Sequence, residues 1–122
     1  MDKDVAEWIK MADDNLATAK VLLQNEKFKD ASYYSQQVAE KAFKAVQIAK
    51  LKRFDKIHDL QQLVESVKAP KDISGYAKNL TRYYISARYP LAEEQAVNED
   101  DAEKAIADAE KVLEWAKLTL KL

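Results

Sequence analysis

The stretch DASYYSQQVAEKAFKAVQIAKL, residues 30–51, carries Ala31, Tyr34, Val38, Ala42, Ala45, Val46 and Ala49 at helical spacing. Ala39 and Phe43 widen that face. Helix surfaces repeat every 3.6 residues, so this pattern predicts a helix with an apolar arc too wide for one neighbour. A helix of that kind sits centrally, with others packed around it.

Working outward, residues 4–24 place Val5, Trp8, Ile9, Ala12, Leu16, Ala19 and Leu23 on one narrow face, with Asp2 or Asp4 available as the N-cap. The polar run Gln24 to Lys27 then connects to the central helix. Two shorter helices are predicted over 56–68, with Ile57, Leu60, Leu63, Val64 and Val67, and over 72–88, with Tyr76, Leu80, Tyr83, Tyr84 and Ala87. Pro70 and Gly75 mark the break between them. Pro90 disfavours helical geometry at Tyr89, so the fourth helix is expected to stop near Arg88, before a loop through Asn98.

The last helix is predicted over 99–121, with Ala102, Ala105, Ile106, Ala109, Val112, Leu113, Ala116 and Leu120 on its stripe. Glu99, Asp100 and Asp101 open it and Lys117 and Lys121 close it, as the helix dipole favours. Trp115, Leu118 and Leu122 lie off the stripe as a second apolar patch, either a cover for loop ends in the same monomer or a dimer contact.

The chain has 122 residues, one glycine, two prolines and no cysteine. The length suits one compact domain over residues 1–122. The composition suits an all-α fold, an antiparallel up-and-down bundle of about five helices. With no thiol and His58 as the single histidine, neither a disulfide framework nor a conventional zinc cage is expected, and no metal or cofactor. Twenty basic residues against 21 acidic ones leave a formal charge of -1, so attraction to nucleic acid must be local. The opening MDKDVAEWIK lacks the apolar core of a signal peptide and no later run reaches membrane-spanning length, which suits a soluble cytoplasmic protein without a membrane partner.

The chemistry-bearing residues are unevenly spread. Arg53, Arg82, Arg88 and His58 all fall between positions 53 and 88, while lysines occur throughout. Guanidinium binds phosphate or carboxylate through paired hydrogen bonds, so this segregation points to an anion site or to carboxylates on a partner. On the central helix Gln37, Glu40, Lys41 and Lys44 form a polar arc, read either as a phosphate-binding ridge or as a solvated face with local ion pairs. Tyr83 and Tyr84 fall on the core face; Tyr89, beside the helix-ending proline, is the better base-stacking candidate.

The run YYSQQVAEKAFKAV (Tyr33 to Val46), with HDL (His58 to Leu60) and ARYP (Ala87 to Pro90), resembles the HEPN domain family. DNLATAKVLL (Asp14 to Leu23) and FKDAS (Phe28 to Ser32) fit it too, in the right order. The resemblance implies a helical bundle that pairs into a homodimer. It also implies a minimal nucleotidyltransferase as partner, often as toxin and antitoxin, and a nucleotide or RNA ligand. Catalytic members are metal-independent ribonucleases with an arginine followed, four to six residues on, by a histidine on a late helix.

In the corresponding helix this chain offers Arg82 and then Arg88 where the histidine would stand. Arginine stays protonated and cannot readily exchange a proton, so Arg88 can hold phosphate but not serve as the base. Arg53 and His58 have the hallmark spacing, but they straddle the loop before the third helix, with His58 expected in that helix's first turn. The leading expectation is therefore a binding module in which Arg82 and Arg88 grip phosphate, Lys41, Lys44 and Gln37 add charge and hydrogen bonds, and Tyr89 stacks. The alternatives are a ribonuclease using His58 with Arg53 or Arg88, and a non-catalytic interaction dimer.

Overall fold

The computed structural model describes residues 2–53, 56–84 and 96–122. These contain the helices α1 (Lys3–Gln24), α2 (Phe28–Leu51), α3 (Leu60–Val67), α4 (Lys71–Leu80) and α5 (Glu99–Leu120), and no strand. Among the described residues no helix is long and apolar enough to cross a membrane.

Most helix ends have a local cause. Asp2 Oδ1 accepts from the Asp4 amide at 2.7 Å to open α1. Asn98 and Asp101 form a reciprocal capping box at the start of α5, with bonds of 2.9 and 3.1 Å. Left-handed backbone at Lys52 and Lys68 stops α2 and α3.

Two boundaries differ from the sequence reading. Asp59 Oδ1 takes the Gln61 amide at 2.9 Å and so caps α3, which begins at Leu60 and leaves His58 ahead of the helix instead of in its first turn. The fourth helix breaks at Thr81. The Thr81 hydroxyl donates to the Ala77 carbonyl at 3.1 Å and its amide turns to Lys78 O at 3.3 Å, tightening the turn before helical backbone resumes at Arg82–Tyr84. Arg88, Tyr89 and Pro90 lie outside the described residues.

Side-chain pairs give the directions. Asn15 meets Lys41 and Trp8 meets Lys44, so α1 and α2 are antiparallel. Asp13 meets Lys117 and Lys20 meets Glu110, so α1 and α5 are antiparallel as well. Asn79 meets Asp108 and Arg82 meets Asp101, which sets α4 against α5 in the same sense. The exception joins α2 and α3. His58 meets Glu40, Ser66 meets Gln47 and Val67 meets Lys50, so the chain returns along α2 before α3 runs parallel to it.

The core lies around α2. Phe43, Leu60, Leu63, Leu80, Val38 and Val46 are fully buried. Alanines 12 and 19 in α1, 39, 42 and 45 in α2, and 109 and 116 in α5 are completely covered; such small side chains let helix axes approach closely. Trp115 turns inward against Phe43, with ring centroids 5.7 Å apart, whereas Leu118 is 70 % exposed. The apolar patch expected at the C-terminus is thus divided between core and surface.

Candidate functional site

α2 is buried over much of its surface, and several of its polar residues are buried with it. Ser32, Gln36, Glu40 and Lys44 follow one another at single-turn intervals, and all are buried. At Glu40 and Lys44 the polar arc, read from sequence as either a phosphate-binding ridge or a solvated face, is instead covered. The reason is the return of the chain along α2 before α3, which covers Glu40, and the Trp8 ring of α1, which lies 5.4 Å from Lys44 Nζ.

Glu40 and Lys44 pair at 3.3 Å, with side chains only 4 % and 6 % exposed. The other carboxylate oxygen of Glu40 meets His58 Nδ1 at 3.0 Å. A carboxylate accepts, so this contact puts a proton on His58 Nδ1; Nε2 then accepts in the neutral ring and donates in the imidazolium. The imidazole also stacks on Tyr84, 5.3 Å between centroids and 16° between planes. With 49 % of its side chain open, His58 is held from two directions yet reachable from solvent. Arg53 stands exposed five positions earlier in the chain.

Lys41 and Gln37 face α1. Lys41 Nζ donates to Asn15 Oδ1 at 2.7 Å and to Gln37 Oε1 at 3.2 Å, and Gln37 Nε2 donates to Gln36 Oε1 at 2.6 Å. Burial holds the Lys41 ammonium below the ordinary lysine range; neighbouring Glu40 opposes that shift and Lys44 adds to it. The amide nitrogen of the fully buried Gln36 and the hydroxyl of the fully buried Ser32 have no hydrogen-bond partner among the described residues.

Arg82 belongs to a different surface. Its Nη2 meets the Tyr83 hydroxyl at 2.7 Å, its guanidinium lies 4.6 Å from the Tyr83 ring centre, and Asp101 of α5 is 3.4 Å away. The Tyr83 hydrogen bond, supported by Asp101, raises the arginine pKa further. Arg82 therefore lines the α4–α5 cleft with Lys78 and Lys104, while Lys41 lies against α1.

Of the residues singled out from sequence, His58 and Lys44 meet at Glu40, and Gln37 joins Lys41; Arg82 sits apart from both pairs. Arg88 and Tyr89 fall outside the described residues. Tyr84, read as core, is only partly buried and faces His58. Sequence reasoning gave no role to Asn15 or the buried Asp108, and placed Trp8 on the core face without its contact to Lys44. Only Asp108 had a signal, a carboxylate set within the alanine stripe of α5. Among the described residues no group of three His, Cys, Asp or Glu is placed to hold a metal ion.

A family model for the HEPN domain matches residues 5–119. A Methanocaldococcus jannaschii protein named "Putative toxin MJ1304" is 32% identical over 132 residues, covering 93% of this chain and 86% of that protein. The crystal structure of TT1696 from Thermus thermophilus superposes with a TM-score of 0.86 at 29% identity, covering 94% of this chain and 97% of that one. That of ST0689, an archaeal HEPN homologue, gives 0.80 at 30% identity, covering 96% and 97%.

Proposed function

Because the chain belongs to the HEPN domain family, we propose that it is a toxin-type module that engages the phosphate of RNA or a nucleotide on the face where His58 stands. In this reading it forms a homodimer and works beside a minimal nucleotidyltransferase. Its likeness to a protein named as a toxin supports the coarser role. The observation that carries the ligand is His58 itself, fixed by Glu40 at 3.0 Å and by Tyr84, with half its side chain open.

In its protonated form an imidazole held in this way donates Nε2–H to an anion with little further ordering. Calorimetric titration with nucleotides and short RNA at low salt tests the reading. Binding that weakens with salt and in His58→Ala is expected. An absence of binding across the panel overturns it. Co-purification of a coexpressed minimal nucleotidyltransferase tests the partnership separately.

A second reading, metal-independent RNA cleavage, is favoured by the contact between His58 Nδ1 and Glu40. With Nδ1–H on Glu40, Nε2 of the neutral ring can take the 2'-hydroxyl proton as the 2'-oxygen bonds to phosphorus and the bond to the 5'-oxygen breaks; the imidazolium can return the proton to that leaving oxygen while an arginine, Arg53 or Arg88, stabilises charge on the phosphate. RNA cleavage that persists in chelator and disappears in His58→Ala supports it. Intact RNA after prolonged incubation rejects cleavage and leaves the binding role.

A further inference from the structure

Glu40 is a single buried carboxylate facing two groups that can carry positive charge. Its Oε2 meets Lys44 Nζ at 3.3 Å, and its Oε1 meets His58 Nδ1 at 3.0 Å. The two partners differ in how freely they can change charge. Lys44 is enclosed, and both of its neighbours, the carboxylate and the face of Trp8 at 5.4 Å, favour an ammonium. His58 is half open and can be neutral or cationic.

Charge counting links the two. With Glu40 and Lys44 both ionised, the buried pair is neutral as a whole, and a proton added to the His58 ring leaves one net positive charge. Without the ammonium, the buried carboxylate has no counter-charge except that proton. Lys44 therefore opposes protonation of the ring through the carboxylate that both share. The neighbouring charged groups do not replace it. Lys41, beside Glu40 in sequence, turns toward α1, where it donates to Asn15 Oδ1 at 2.7 Å and to Gln37 Oε1 at 3.2 Å. Asp59 takes the Gln61 amide on Oδ1 at 2.9 Å, Arg53 lies exposed, and Tyr84 stacks on the ring.

We propose that Lys44 is a positioning residue for His58. Acting through Glu40, it sets the pH at which the ring changes charge, and so divides the ring between an anion-binding donor and a proton acceptor. The functional part rests on the readings above, in which the imidazolium meets phosphate or the neutral ring takes a proton. The coupling itself requires no ligand.

His58 is the single histidine of the chain, so NMR follows its ring nitrogens directly on the intact protein. In Lys44→Met, which keeps most of the bulk and removes the charge, the His58–Glu40 pair should take up its proton about one pH unit higher than in wild type. The ring nitrogens and the Glu40 side-chain carboxyl carbon report this together. In a Glu40→Gln background the same substitution should move the ring titration far less, because the shared carboxylate is gone. Linkage adds a measurement on wild type alone: protonation of His58 must be felt at Lys44, so the Lys44 Nζ resonance should move across the pH range of the His58 titration.

Equal titrations in wild type and Lys44→Met, or a Lys44 Nζ resonance that stays fixed while His58 titrates, overturn the proposal. The wild-type measurement stands even if Lys44→Met fails to fold. Where RNA is cleaved, the acid limb of the pH profile should move upward in Lys44→Met, whereas a purely structural lysine would lower the rate and leave that limb in place. The two readings can fail separately. Coupled titrations without nucleotide or RNA binding reject the phosphate role alone, and His58-dependent binding with uncoupled titrations rejects the role of Lys44 alone.

Discussion

Glu40 and His58, 18 positions apart in sequence, meet at 3.0 Å because the chain turns back along α2 before α3 begins. The contact joins a buried anion to a half-open imidazole, so changes at Glu40 act on stability and on His58 together. Glu40→Ala leaves the Lys44 ammonium buried without its counter-charge, which should cost about 3–5 kcal/mol in denaturant unfolding. Glu40→Gln keeps the volume and should cost less. Nitrogen-detected NMR of Glu40→Ala, which leaves no acceptor there, should show the His58 ring losing its preference for a proton on Nδ1; an unchanged preference would mean Glu40 does not orient the ring.

Lys41 supplies a pH dependence. Its pKa in the folded chain lies below the ordinary value of 10.5, mainly through burial, so between the two values the unfolded chain binds more protons. The penalty for burying the ammonium is fully present below the folded value and is relieved as pH rises through it. Relative to Lys41→Met, wild-type stability should therefore rise with pH as it approaches 10.5 from below. Urea unfolding of both proteins over this range measures it, and parallel curves would remove Lys41 as the cause.

Trp115 and Leu118 are near neighbours with opposite fates. Trp115→Ala removes a ring packed on Phe43 and should cost about 3 kcal/mol or more. Leu118→Gln changes a side chain that is 70 % exposed and should alter the stability of a monomer by no more than about 0.5 kcal/mol. Chemical denaturation of the two variants, with mass measured by light scattering, checks both values. A shift from dimer to monomer in Leu118→Gln would assign that patch to the subunit contact.

Asn98 closes the capping box that starts α5. Asn98→Ala removes the acceptor for the Asp101 amide, at 2.9 Å, and should cost about 1 kcal/mol. Thermal unfolding reads this as a lower midpoint, and Asn98→Ser should recover most of it.

Periodicity alone placed α2 at the centre, because an apolar arc from Ala31 to Ala49 permits few other arrangements. It also located α1 and α5 closely, since their stripes are long and their first turns carry capping acids. Boundaries set by single side chains were not legible in this way. Asp59 caps α3 and Thr81 breaks α4 through one or two hydrogen bonds each, and hydrophobic spacing does not record such bonds.

Sequence by itself thus determined the all-helical class, the family and the residue types available to bind phosphate. Tertiary structure decided which of them meet. Glu40 and Lys44 occupy a polar arc when α2 is considered alone, but the returning chain and Trp8 bury them. The same return brings His58 to Glu40, while the antiparallel packing of α4 on α5 commits Arg82 to a separate cleft with Asp108. Local spacing fixes the face on which a side chain stands; what covers that face depends on contacts between distant segments.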